Sequence, residues 1–203
     1  GLSFAAKVDG TGGLAWDWTK VYVNETGERF INEEIHYSIV TNKVVEQETP
    51  WLISDSSNEG TAVLLEAGLS TGEVVKGKTY EELAEAMGVP VDVFAKTMAD
   101  YNAGAQEGTD VLGKDSNFLV PMETGPFYAM KMYPQTMGTF GGVKTNENFQ
   151  VLRKDGSIIN NLYAGGECAN KILYNQVYMT GSAVQFALTS GRISGAHAAQ
   201  NIK

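Results

Sequence analysis

PFYAMKMYPQTMGTFGGVKTNENFQVLRKDGSIINNLYAGGECANKILYNQVYMTGSAVQFALTSGRISG, residues Pro126 to Gly195, is the stretch that decides how this chain is read. Strand-like runs cover Tyr128 to Met132, Gly142 to Thr145, Gln150 to Leu152 and Leu162 to Ala164. A Gly141-Gly142 pair opens the second, and a Lys154-Asp155-Gly156 turn precedes the last. Tyr163-Ala164-Gly165-Gly166 then leads to Glu167 at the end of a strand. Gly181-Ser182-Ala183 opens a closing helix, Ser182 to Ile202, with small residues.

Working outward, the segments upstream are richer in helix. Gly10 to Gly13 is turn-rich, and Leu14 to Val23 alternates with Trp16 and Trp18 on one face, the pattern of a half-buried strand. Asn24 to Glu28 is a turn leading into Arg29-Phe30-Ile31. Glu33 to Glu46 reads as a helix with Ile35, Ile39 and Val40 on one side. Trp51 to Ser54 is a short strand, and Thr61 to Ala67 a helix that Gly68 would cap. Thr79 stands three residues before Glu82, the spacing of a capping box, and Gly88 ends that helix. Pro90 opens the next one, with Val91, Phe94, Met98 and Tyr101 at helical spacing. Gly104 to Glu123 reads as a long irregular connection. Strands and helices in irregular succession argue for an α+β fold rather than a doubly wound sheet. A boundary near Pro134 to Gly138 divides the chain into residues 1–137 and 138–203.

Composition narrows the function classes. The 203 residues carry 15 Lys and Arg against 24 Asp and Glu, a formal charge of -9. No basic cluster exists to meet a phosphate backbone, which argues against a nucleic-acid partner. No apolar run approaches the ~20 residues of a membrane span. The single Cys168 excludes an internal disulfide, and nothing points to an oxidising compartment, so the cytoplasm is the default. Cys168 itself reads as a small buried residue. His36 and His197 share no metal-like spacing, which predicts no metal site. Glu81, Glu82 and Glu85 read as a solvated helix face. The first residues, Gly1-Leu2-Ser3, read as the start of a fragment or a trimmed chain.

One dinucleotide signal is present and weak. Gly10-Thr11-Gly12-Gly13-Leu14-Ala15 fits G-x-G-x-x-A, a motif that needs a strand before it and a helix after it. Trp16-Asp17-Trp18 reads as strand, so a plain turn is the preferred reading.

From about Lys20 onward the chain resembles the fumarate reductase / succinate dehydrogenase flavoprotein superfamily, in its C-terminal part. Asn24 to Glu33, with Arg29-Phe30-Ile31-Asn32-Glu33, is similar to the G-x-R-F-x-N-E signature at the start of that family's mobile cap. Tyr101-Asn102, Gly108-Thr109-Asp110 and Pro126 to Ala129 match the end of the cap. Gly141-Gly142, Gly156, Tyr163 to Glu167, Gly181 to Ala183 and Ser190 to Gly195 match the C-terminal flavin segment. The resemblance implies a cap (catalytic) domain of the fumarate reductase type over 1–137, then the C-terminal strand-and-helix segment of an FAD-binding domain over 138–203. It also implies that the N-terminal dinucleotide-binding part lies outside this chain and is a partner it needs.

The cofactor implied is FAD, held in the full-length parent by Glu167, Ser182, Ala183 and Val184. Negative charge on a reduced flavin gathers at N1 and the C2 carbonyl, where a helix N-terminus offers N–H groups and the positive dipole end. The alternative readings are a tightly packed helix start and, for Glu167, a solvated loop carboxylate.

The catalytic positions depart from the fumarate reductases. An arginine proton donor is matched here by Tyr37, and a carboxylate-binding arginine by Tyr178. A histidine expected near Gly138 has no counterpart. Tyrosine cannot offer a dicarboxylate the cationic fork of arginine. Tyrosines at these places look like the 3-ketosteroid dehydrogenase branch, with Gly181 supplying an N–H to a substrate ketone. The implied activity is a flavin-dependent oxidoreductase that reduces or forms an activated C=C bond by flavin hydride plus Tyr proton transfer, on a small molecule other than a dicarboxylate. A phenol of ordinary pKa near ~10 suits a donor to a developing enolate. The competing readings are that Tyr37 and Tyr178 are packed aromatics, and that the piece is a cap-domain fragment with no flavin or activity of its own.

Overall fold

A computed structural model describes residues 2–5, 7–136, 138–175 and 177–201. In chain order the elements are β1 (Leu2–Ala5), β2 (Val21–Val23), α1 (Tyr37–Val45), β3 (Trp51–Ser54), α2 (Glu59–Gly68), β4 (Val74–Gly77), α3 (Tyr80–Met87), α4 (Val91–Glu107), β5 (Phe127–Lys131), β6 (Tyr133–Thr136), β7 (Gln150–Leu152), β8 (Ile158–Tyr163) and α5 (Ser182–Asn201). Short 3-10 turns occupy Thr11–Trp16, Leu69–Thr71, Ser116–Phe118 and Gly166–Ile172. The mixture is the α+β class expected. The chain forms two compact units, Ser3–Gln135 and Thr136–Lys203, the latter with Gly1–Leu2.

The larger unit is built on an antiparallel sheet of order β2-β3-β5-β4. Its register pairs Val21 with Ile53, Trp51 with Lys131 and Val74 with Met130. Both faces are covered. Val21, Val23, Trp51, Ile53, Phe127 and Ala129 pack with Leu83 of α3 and Phe94, Met98 and Tyr101 of α4. Tyr22, Leu52, Tyr128 and Met130 pack on the other side with Val40 and Val44 of α1 and Leu65 of α2. A strand buried on both faces needs no polar alternation, so VYV, WLIS and FYAM are continuous apolar runs.

That burial explains where the sequence pattern misleads. The alternation from Leu14 to Val23 is not a strand: Thr11–Trp16 winds into a 3-10 turn and only Val21–Val23 pairs. G-x-G-x-x-A therefore leads into a turn too short to present the N-terminus of an α-helix. The first helix starts at Tyr37 rather than Glu33, because Glu33 is claimed by the interior described below. Ile39 turns outward while Val40 and Val44, four apart, face the core. Gly68 is no cap either. It is helical at φ -70°, and a Cβ there would stand 2.7 Å from Val74 Cγ2, so its smallness serves packing. The left-handed stop falls at Gly72.

Local signals elsewhere act as their chemistry requires. The Thr79 hydroxyl accepts from Glu82 N–H, and Gly88 closes α3 at φ 74°. Pro90 precedes the first turn of α4 as its cap, and Gly108 ends α4 four residues later than the reading that began the loop at Gly104.

The smaller unit has a β7–β8 hairpin and the 20-residue α5. Gly142 to Thr145 forms no strand, only a bridge from Thr145 to Val151. Ile158–Tyr163 is longer than the Leu162–Ala164 reading and ends earlier, so Glu167 lies in the 3-10 turn Gly166–Ile172 and not at a strand end. Ile202, the last residue of the expected helix, is outside the described residues.

Candidate functional site

Within the smaller unit, hydrogen bonds stitch the segment Thr139–Val143 to the 3-10 turn. Gly141 N–H donates to Asn170 Oδ1 at 2.8 Å, Asn170 Nδ2 donates to Thr139 O at 2.8 Å, and Val143 N–H donates to Cys168 O at 2.8 Å. This approach needs glycine at 142. Its φ is +87°, and an added Cβ would fall 1.8 Å from Cys168 O. The stitching presents Glu167 at the surface, where its Oε1 accepts from Thr139 N–H at 2.7 Å and from the Thr139 hydroxyl at 3.1 Å. Cys168 beside it is exposed, not buried: its carbonyl does the structural task and its thiol faces out.

The other candidates of this unit converge on the start of α5. Gly181, at φ +86°, turns the chain into the helix, a conformation in which a side chain is strained. Ser182 Oγ bonds the Tyr174 hydroxyl at 2.6 Å. Tyr174 is buried, its ring 4.8 Å from Phe140 and 5.5 Å from Tyr178. Tyr178 is thus half-buried on a ring that is locked to the first residue of the helix. Ala183 and Val184 stand exposed, and among the described residues no backbone carbonyl accepts from their N–H groups. They are the unpaired donors that every helix start leaves.

Tyr37 belongs to the larger unit. It opens α1, half-buried, with its ring edge-on to Trp16 at 4.6 Å and tilted on His36 at 4.2 Å. Glu167, Tyr178, Gly181, Ser182, Ala183 and Val184 lie together in one unit, and Tyr37 in the other.

Sequence reasoning missed the interior charges of the larger unit. Arg29 and Glu33, the two ends of R-F-I-N-E, meet Asp110 and Lys114 inside the protein. Arg29 Nη2 lies 2.9 Å from Glu33 Oε2 and its Nη1 2.5 Å from Asp110 Oδ1. Lys114 Nζ lies 2.9 Å from Glu33 Oε2 and donates to Lys20 O at 2.8 Å. Glu33 also accepts the Tyr22 N–H at 3.0 Å, anchoring the cluster to β2. Lys114 and Glu33 side chains have no exposure at all. Burial pushes the Lys114 amine below its ordinary value despite Glu33. Burial alone would raise the Asp110 carboxyl, but the Arg29 hydrogen bond, the Lys114 N–H and both cations hold it below the usual range. The Tyr101 ring lies against both cations, and burial together with Glu33 raises its phenol to about 12. The legible trace was the four-residue spacing of Arg29 and Glu33. Their partners, 81 residues away, were not legible.

Among the described residues no group of His, Cys, Asp and Glu could hold a metal ion, and no helix is long and apolar enough to cross a membrane.

The family model described as FAD binding domain matches residues 8–183. Over 181 residues the chain is 33% identical to an NADH:acrylate oxidoreductase of Vibrio harveyi, covering 86% of this chain and 18% of that protein. It is 29% identical to a 3-oxosteroid 1-dehydrogenase of Mycolicibacterium smegmatis, covering 86% of this chain and 37% of that one. Among solved structures, the open conformation of a flavocytochrome c3 fumarate reductase superposes with a TM-score of 0.70 at 28% identity, over 98% of this chain and 36% of that one. The chain therefore spans less than half the length of these relatives.

Proposed function

The chain belongs to the fumarate reductase flavoprotein superfamily of FAD binding domains, and from that premise we propose that it is the substrate-side and flavin-facing portion of an FAD-dependent oxidoreductase acting on an activated C=C or CH–CH bond. In this reading residues 1–137 form the cap, or substrate domain, and residues 138–203 the C-terminal part of the FAD-binding domain. The observation that carries it is the start of α5. Its exposed Ala183 and Val184 N–H groups, the Gly181 turn and the surface carboxylate of Glu167 lie in one unit, with a donor set that suits a flavin. Unpaired helix N–H groups meet an electron-rich carbonyl or ring nitrogen, and a carboxylate accepts from hydroxyls of a sugar-like chain.

When bound, FAD exchanges a hydride with one carbon of the substrate. The residues of this chain do the rest. Tyr37 transfers a proton to or from the neighbouring carbon. The Tyr178 hydroxyl and the Gly181 N–H hold the carbonyl that activates the bond, and the Tyr174–Ser182 bond fixes the ring on which Tyr178 rests. Neither tyrosine offers the positive charge a second carboxylate would require, so the substrate is a small molecule other than a dicarboxylate.

Visible absorbance of the purified chain with added FAD tests the cofactor half. After removal of unbound FAD, the chain joined to a dinucleotide-binding part should retain flavin, and a colourless product of that assembly would overturn the flavin reading; the chain by itself staying colourless would make it an isolated cap-domain fragment without a flavin of its own. In the flavin-loaded enzyme, Tyr37→Phe and Tyr178→Phe should each slow turnover by ~10²-fold. Near-normal rates in both variants would remove the tyrosines from the mechanism.

A further inference from the structure

Trp16 stands where a core residue would not. The turn Thr11–Trp16 buries Thr11 and Leu14 but leaves Trp16 53% exposed. Half an indole left in water forgoes about 2–3 kcal/mol of burial. One exposed apolar residue is ordinary on a protein surface. Trp16 is not alone, however, because its ring closes a continuous aromatic row with Tyr37 and His36. The two rings meet edge-on, 4.6 Å apart at an interplanar angle of 64°, while Trp16 stays more than half exposed. An indole face is electron-rich and meets electron-poor flat groups favourably. A double bond conjugated to a carbonyl is such a group, and it is the group whose neighbouring carbon Tyr37 would protonate. A pair of carboxylates would instead bring negative charge against a negative face.

We propose that Trp16 is the specificity wall of the substrate site beside Tyr37, and that it selects planar, uncharged conjugated carbonyl compounds carrying a ring over acyclic dicarboxylates. The assignment rests on the reading of Tyr37 above and narrows its substrate class.

The chain has three tryptophans, so the ¹⁵N-labelled protein gives three indole N–H signals, assigned by Trp16→Phe and Trp18→Phe. Titration with 4-phenylbut-3-en-2-one should shift the Trp16 signal saturably and leave that of buried Trp51 in place. Fumarate at equal concentration should shift neither. Trp16→Ala should weaken the enone about ten-fold by ligand line broadening, and Trp16→Phe, which keeps a ring against Tyr37, about three-fold. An unmoved Trp16 signal, equal shifts with fumarate, or unchanged affinity in Trp16→Ala would each overturn the assignment. The titration contains no flavin and reads no turnover. A chain that fails to take up FAD can therefore still pass it, and a chain that takes up FAD can fail it.

Discussion

The larger unit and the smaller one treat their apolar side chains in opposite ways. In Ser3–Gln135 the sheet is covered on both faces, and Val21, Ile53, Leu65, Leu83, Phe94, Met98 and Ala129 have no exposure at all. In Thr136–Lys203 the buried apolar residues among those described are Phe149, Val151, Ala169, Tyr174 and Phe186. The same unit leaves Ile172, Met179, Val184 and Leu188 between 67% and 73% exposed. A helix that turns Phe186 and Ser190 inward and Val184 and Leu188 outward is apolar on both sides. The contrast separates two tasks. The larger unit has a core that can stabilise a fixed site. The smaller unit keeps apolar surface and helix-start donors accessible at the place where a flavin is proposed to bind.

The sharpest way to break this contrast is to disturb the buried charges. Lys114→Met leaves Glu33 without one of its cations and should lower stability by about 3–5 kcal/mol in chemical denaturation followed by tryptophan fluorescence. A change below about 1 kcal/mol would mean that the cluster is solvated in solution. Of similar size is the larger of a pair of truncations. Phe94→Ala should cost about 3–5 kcal/mol, while Phe186→Ala, in a far smaller cluster, should cost less than half of that. Equal losses would erase the distinction between the units. Acid should weaken the larger unit through Asp110. Folding holds the Asp110 pKa below its ordinary 3.8, so the unfolded state binds its proton more readily. The stabilisation is complete above that value and is lost as pH falls through the folded one, and Asp110→Asn should flatten this part of the acid-denaturation profile. The smallest expected effect is at the α3 cap, where Thr79→Ala should cost about 1 kcal/mol by thermal unfolding.

Much of this architecture was legible from local chemistry. Thr79 with Glu82, Gly88 and the small-residue entry to α5 act through bonds and dihedral angles within a few residues, so their meaning does not depend on what folds around them. Trp51 to Ser54 and Tyr128 to Met132 were legible as strands, the second lying one residue beyond the observed Phe127–Lys131. The misreadings share another cause. Cys168 was expected inside and lies outside, because the backbone at that position, not the side chain, is held by the Gly142 segment. Gly68 resembled a cap, yet Val74 and Val8 decide its size. The alternation around Trp16 resembled a strand, yet Leu14 is drawn into the core by a turn that leaves the indole exposed.

By itself, then, the sequence determined the α+β class, both ends of α3, the starts of α4 and α5, the acidic net charge, and the resemblance that leads to FAD. Those properties follow from composition, from hydrogen bonds spanning three or four residues, and from segments in a particular order. The tertiary structure alone decided that Arg29 and Glu33 find Asp110 and Lys114, that Tyr174 locks Ser182 beneath Tyr178, and that Trp16 stands beside Tyr37. Each of these is a pairing set by packing rather than by local pattern. The chain must bring the groups together before burial and charge can make the contact favourable.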